Sequence, residues 1–249
     1  MELSLPVGLI SPGCRSSRRQ LRAVQAVGAQ SGYLRASQFY LRRGLAPELV
    51  QVAAGSRAEN HELLELRYDY IFFTGSAATG RQVMAAAARH LTPVTLELGG
   101  KSPAIVEKTA DLDKTAKRIL FGKLMNAGQT CVAPDYVHVE RTVKAILIDK
   151  LLQGIENSLA ADQDYYKTGY AKIISDEHFA HLQHLLHNQR LLCPAGRHHR
   201  EDEATRRQMY PVLVDEPAWD SPLMQEEIFG PVLPVLSWNN NSLDRKSVV

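Results

Sequence analysis

Apolar and polar positions fall into a regular pattern from Leu45 onward. LVQVAA reads as a short strand and HELLELR as helix, and DYIFFTGS is a run of buried-strand character that ends in a turn. An apolar run such as YIFF, closed by Gly75 and Ser76, predicts a central parallel strand. GRQVMAAAARHL follows, alanine-rich and charged at both ends, and predicts a helix. TPVTLELGG then returns as a strand, β-branched at its start and closed by two glycines. Strand, helix and strand at this spacing form a βαβ unit, so the fold class is α/β. Beyond Gly100 the alternation continues. SPAIVEK predicts a strand, DLDKTAKRILFGKLMNAG a capped helix, VHVE a strand and VKAILIDKLLQGI an amphipathic helix. HFAHLQHLLHNQRLL adds a helix, and YPVLVDEP and PVLPVLSW close the regular part as strands.

Residues 1–44 break this pattern and predict an irregular basic leader. They are rich in arginine and serine and poor in acid, as transit peptides are, but Glu2, Pro6 and Pro12 spoil the amphipathic helix such a peptide needs. A poorly ordered or non-native leader is the better reading. The tail, 239–249, is likewise irregular. A length of 249 residues allows one large domain or two modest ones. With 45% hydrophobic and 22% charged residues, the composition is that of a soluble globular protein. A net charge of +2 and the lack of a basic, aromatic-interleaved patch speak against nucleic acid. No apolar run reaches the roughly 18 residues of a membrane span. Cys14, Cys131 and Cys193 are odd in number and far apart, which disfavours a disulfide framework or a zinc site and favours a reducing, cytoplasmic compartment. His178, His181, His184 and His187 recur every three residues without acidic or cysteine partners, so they read as helix surface, and His198 and His199 as solvated loop. No metal site is expected.

Four places carry candidate chemistry. Cys131, in GQTCVAPDY, is either a nucleophile or a small buried hydrophobe. The turn from Gly75 to Gly80, between a strand and a helix, lets backbone N–H groups meet a phosphate, yet it matches neither GxGxxG nor a P-loop. Glu97 ends an otherwise apolar strand: it either faces a ligand at the strand end or turns to solvent. EEIFGPV offers two acids for ribose hydroxyls and Phe229 for a flat ring, or else is an ordinary polar turn.

FTGS, LELGGKSP, GQTCVAPDY and EEIFGPV, in this order and spacing, resemble the aldehyde dehydrogenase superfamily. TPVTLELGGKSP with NAGQTCVAPDY is most similar to its class 3 branch, the fatty and coniferyl aldehyde dehydrogenase type. The resemblance covers about residues 45 to 236. It implies a partial Rossmann-type NAD(P)-binding domain over 45–98, followed by an α/β catalytic domain over 99–238. It also implies that Cys131 attacks an aldehyde, that hydride passes to NAD or NADP, and that Glu97 activates the water that cleaves the thioester. By the same resemblance Gly75 and Ser76 face the pyrophosphate, Glu227 holds the nicotinamide ribose, and Phe229 lies beside it. The Cys131 N–H would be one oxyanion donor.

The family pattern is incomplete here. An upstream asparagine, the second oxyanion donor, has no counterpart, and Asn126 does not match its position. A KPSE-like lysine is absent, since the first lysine is Lys101. A PFGG-type segment and the subunit-pairing arm do not follow EEIFGPV, so an oligomer cannot be inherited. These departures lead us to expect a truncated or frame-disrupted chain with impaired turnover. A non-catalytic remnant or binding module of the same fold, and a cofactor-independent thiol esterase, stand as alternatives.

Overall fold

β-Branched and aromatic residues gather where strands form, and alanine, leucine and lysine where helices form. In the computed structural model the described residues are 7–10, 22–27, 50–55, 57–160, 169–194 and 207–239, with side chains over 60–159, 169–194 and 207–239. The chain divides into two units, Met1–Gly99 and Gly100–Val249.

The first unit holds strands β1 (Val7–Ile10), β2 (Arg22–Val27), β3 (Val50–Gly55), β4 (Tyr70–Gly75) and β5 (Val94–Leu98), with helices α1 (Arg57–Leu64) and α2 (Ala77–Ala88). They form one sheet in the order β3-β2-β1-β4-β5. β2 and β3 are parallel, as are β4 and β5, while β1 runs antiparallel to both β2 and β4. Two expectations are corrected. The leader expected to be irregular over 1–44 contains two strands, because VGLI and RAVQAV carry enough β-branched residues to pair in a sheet despite their weak periodicity. YIFF is parallel to one neighbour only. Ser76 caps α2 at φ −67° and ψ 151°, its Oγ accepting from the Thr79 N–H at 3.2 Å. Gly80, Val83, Ala86 and Ala87 form the buried face of α2. The core of this unit is Tyr68, Ile71, Phe73, Val83 and Ala87.

The second unit holds β6 (Pro103–Val106), β7 (Tyr136–Glu140), β8 (Leu191–Leu192), β9 (Val212–Asp215) and β10 (Val232–Trp238) in the order β6-β7-β10-β9-β8. Every pair is parallel except β8 with β9. Its helices are α3 (Leu112–Leu124), α4 (Lys144–Ala160), α5 (Asp176–Leu185) and the single turn α6 (Pro222–Gln225). Asp111 caps α3 by accepting from the Lys114 N–H at 3.1 Å, and Ser175 caps α5 by accepting from the His178 N–H at the same distance. Val137, Leu147, Leu151, Leu182, Leu213 and Val235 are fully enclosed at the centre of a far larger core. Such a strongly apolar parallel sheet holds loops at its strand ends on a rigid base.

Candidate active site

In the first unit, the register of β4 and β5 sets Thr74 opposite Glu97 and Gly75 opposite Leu98. Gly75, Ser76 and Glu97 therefore share the carboxyl edge of two parallel strands, where open α/β sheets bind ligands. Glu97 is exposed, so its carboxylate carries no burial cost. The Ser76 cap satisfies the Thr79 N–H, while helix geometry leaves the N–H groups of Ala77 and Ala78 without partners inside α2. No acidic residue stands in the first turn to repel an anion. A Cβ at Gly75 would come within 2.5 Å of the Phe73 ring, so the strand end tolerates no larger residue without a shift. This edge suits a pyrophosphate.

In the second unit α3 stops at Leu124, and Asn126, Ala127 and Gly128 turn left-handed at φ 51°, 55° and 73°. Two consecutive non-glycine residues in that region cost on the order of 1 kcal/mol or more each. The buried Gln129 side chain offsets the strain. Its Nε2 donates to the Asn126 carbonyl at 2.9 Å and the Lys172 carbonyl at 3.0 Å, and its Oε1 accepts from the Ile174 N–H at 2.9 Å. Asn126 Nδ2 donates to the Gln129 carbonyl at 3.0 Å, which ties the two ends of the turn together. A Cβ at Gly128 would lie 2.3 Å from the Gly230 carbonyl oxygen. Glycine is thus required there both for its φ and for backbone-to-backbone contact with the EEIFGPV segment. The turn delivers Cys131 as an exposed free thiol, not as a buried hydrophobe. Its N–H donates no hydrogen bond among the described residues.

The EEIFG loop meets that turn and is held by polar side chains. Asp135 Oδ1 accepts from the Ile228 N–H at 2.9 Å, and its Oδ2 pairs with Lys101. Lys101 Nζ also donates to the carbonyls of Leu223 at 3.0 Å and Glu226 at 2.9 Å. Lys123 is 2% exposed on the buried stripe of α3, and burial pulls its ammonium pKa down to about 8 against the attraction of Asp135 and Glu227. Glu227 is half-buried; burial raises its pKa, while the Gly100 N–H and the two lysines act the other way and Asp135 adds to the rise. A carboxylate with one backbone donor retains room to accept from hydroxyls. Phe229 sits at φ 51°.

Cys131, Glu227 and Phe229 lie in the second unit, and Gly75, Ser76 and Glu97 in the first. It also shows residues that the pattern did not single out. Lys101 and Asp135 lie inside LELGGKSP and GQTCVAPDY, and Lys123 follows Ala116, Ile119 and Leu120 at helical spacing, which places it on the buried face. The four histidines are not all surface. His178 is 2% exposed, because with Leu182 and Leu185 it lies on the inward face of α5, while His184 and His187 are exposed as expected. Among the described residues no cluster of metal-ligating side chains occurs.

The profile of the aldehyde dehydrogenase family matches residues 30–243. The chain belongs to that family. It is 44% identical over 188 residues to the aldehyde dehydrogenase, dimeric NADP-preferring, of Rattus norvegicus, covering 76% of this chain and 40% of that protein. It is 42% identical over 200 residues to aldehyde dehydrogenase family 3 member A2 of Mus musculus, covering 79% and 39%. These relatives lie in the class 3 branch that the motifs indicate. The substrate-bound state of Staphylococcus aureus AldH superposes with a TM-score of 0.76 at 35% identity, over 87% of this chain and 46% of that one. The chain therefore spans about 40% of the length of the curated relatives it matches. An aldehyde dehydrogenase fold accounts for the parallel strand ends of the first unit and the parallel sheet of the second.

Proposed function

We propose that this aldehyde dehydrogenase chain carries the thiol, the acid and part of the nicotinamide cofactor contacts for oxidation of an aldehyde to a carboxylic acid, with NAD or NADP as hydride acceptor. The observation that carries this reading is Cys131, exposed at the end of a strained, side-chain-braced turn. Strain held in place by surrounding bonds is a mark of functional loops. Cys131 gives up its proton to solvent, the thiolate adds to the aldehyde carbon, and the oxygen, now an alkoxide, is met by the Cys131 N–H, which has no partner among the described residues. Reforming the carbonyl expels hydride from that carbon and leaves a thioester on Cys131. The bound nicotinamide supplies the acceptor for that hydride. Glu97 takes a proton from water as the water attacks the thioester, and the acid and the thiol are released. The N–H groups at the start of α2 bind the pyrophosphate, Glu227 accepts from the nicotinamide ribose hydroxyls, and Phe229 packs beside the ring. Asn126 gives one of its two amide hydrogens to the Gln129 carbonyl and so braces the turn.

Support for a hydrophobic aldehyde comes from α3. Phe121 on α3 and Met125 just past its end are exposed, Met125 opens the turn that leads to Cys131, and both line a groove of about 840 Å³ with Leu120, Leu124 and Tyr170. The test is nicotinamide reduction by the purified chain with benzaldehyde and a medium-chain aldehyde, against Cys131→Ala. Turnover that needs Cys131 supports the reading. Ester hydrolysis that needs Cys131 but no nucleotide would replace it with the thiol esterase.

A further inference from the structure

Three side chains from three parts of the second unit hold the main chain of the EEIFG loop: Lys101 at Glu226, Asp135 at Ile228, and His178 at Phe229. The third has no role so far. His178 Nε2 lies 2.8 Å from the Phe229 carbonyl oxygen. A carbonyl only accepts, so Nε2 carries the hydrogen. Nδ1 is buried with no partner among the described residues, so it has no acceptor to offer a second ring proton. We infer that His178 is a positioning residue, held as the neutral Nε2–H tautomer, that locks Phe229 in its left-handed conformation and so sets the direction of Glu227 and Phe229.

The cost of the arrangement argues for it. A leucine would fill the same inward position of α5 without leaving a buried nitrogen unpaired. What the histidine adds is a donor aimed at the one carbonyl of this loop that follows a positive φ. The next residue is equally constrained, since a Cβ on Gly230 would lie 2.7 Å from Leu182, one turn along α5 from His178. His181 stacks on His178 at 6.0 Å and 27°, with its Nε2 3.4 Å from Glu226 Oε1. One face of α5 therefore meets the loop at Glu226, Phe229 and Gly230.

That this loop meets a nicotinamide cofactor rests on the proposed function; the positioning itself does not. The test uses the 249-residue chain with His178→Gln, whose amide reaches the place of Nε2 and donates, and His178→Ala, which does not. Ring-nitrogen correlation spectra of the wild type should show one histidine, absent from both variants, as an Nε2–H tautomer that does not titrate between about pH 5 and 8. Amide exchange over 226–230 should rise about tenfold in His178→Ala and stay near wild type in His178→Gln. NADH titration should weaken about tenfold in His178→Ala and less than about threefold in His178→Gln. Failure of the wild type to bind NADH would count against the proposed function alone, and the tautomer and exchange would still decide the inference. If His178→Ala does not fold, retention of wild-type exchange by His178→Gln decides it. An Nδ1–H or titrating His178, or exchange in His178→Gln as fast as in His178→Ala, overturns it.

Discussion

In the first unit the candidate residues stand at the ends of paired strands, where the sheet itself supplies their geometry. Glu97 is exposed, and Ser76 is held by a single helix cap. In the second unit Cys131, Glu227 and Phe229 stand on two loops, both of which pass through left-handed residues, and buried polar groups hold them. The contrast follows from backbone bookkeeping. A strand end inherits its position from ladder hydrogen bonds, whereas an irregular loop needs side chains to satisfy and fix its main chain. Sites of the second kind expose more of their stability to single charges and amides.

The sharpest way to break the comparison is Asp135→Ala. Asp135 is 4% exposed and serves Lys101, the Ile228 N–H and the field at Lys123. Removing one partner of a buried ion pair costs about 3–5 kcal/mol. Both tryptophans, Trp219 and Trp238, belong to the second unit, so the urea midpoint followed by tryptophan fluorescence reports on that unit directly. A loss below about 1 kcal/mol would remove Asp135 as the hub.

Lys123 sharpens the same point through pH. Its folded pKa of about 8 lies below the ordinary 10.5, so the folded state releases the proton more readily than the unfolded state. Below about pH 8 both states are charged and the burial cost is fully present. Between about pH 8 and 10.5 the unfolded chain binds more protons, so stability rises with pH by at most ~3 kcal/mol. Lys123→Met should abolish this rise, measured as the difference between variant and wild type, and should be no less stable at pH 7. A variant that unfolds at pH 7 would show that the ammonium contributes more than it costs.

Legibility in the sequence divides along the same line. Periodicity located nearly every helix and strand after Leu45, because these elements bury one face each. It placed α5 too long, since apolar residues after Leu185 continue the pattern although the helix ends there. Gly75 and Glu97 were visible as strand ends. The bracing of the loops was not, because the partners of Gln129 lie at Lys172 and Ile174, and that of Asp135 at Ile228, far away in sequence. Reading His178 as surface came from treating the histidines as one set, when a spacing of three carries them around the helix from inside to outside.

Ser76→Ala should produce a smaller effect, a loss of about 1 kcal/mol from the missing cap. Amide exchange in α2 detects it, while tryptophan fluorescence should not move if the units unfold separately. Equal effects on both probes would show that the two units share one transition.

Glu97→Gln should change stability least, by about half a kcal/mol or less, since an exposed strand-end carboxylate is replaced by an amide of the same shape. Its effect on chemistry should be the reverse. If Glu97 is the base for thioester hydrolysis, the variant still consumes one equivalent of aldehyde at Cys131 but loses about 10²–10⁴-fold in steady turnover, so an acyl-Cys131 species accumulates and can be seen by intact mass. Full turnover by Glu97→Gln would assign hydrolysis to another group and leave the first unit with cofactor binding alone. Accumulation of the acyl species at unchanged stability would show that the strand-end acid acts on the reaction without bracing the fold, the opposite of Asp135.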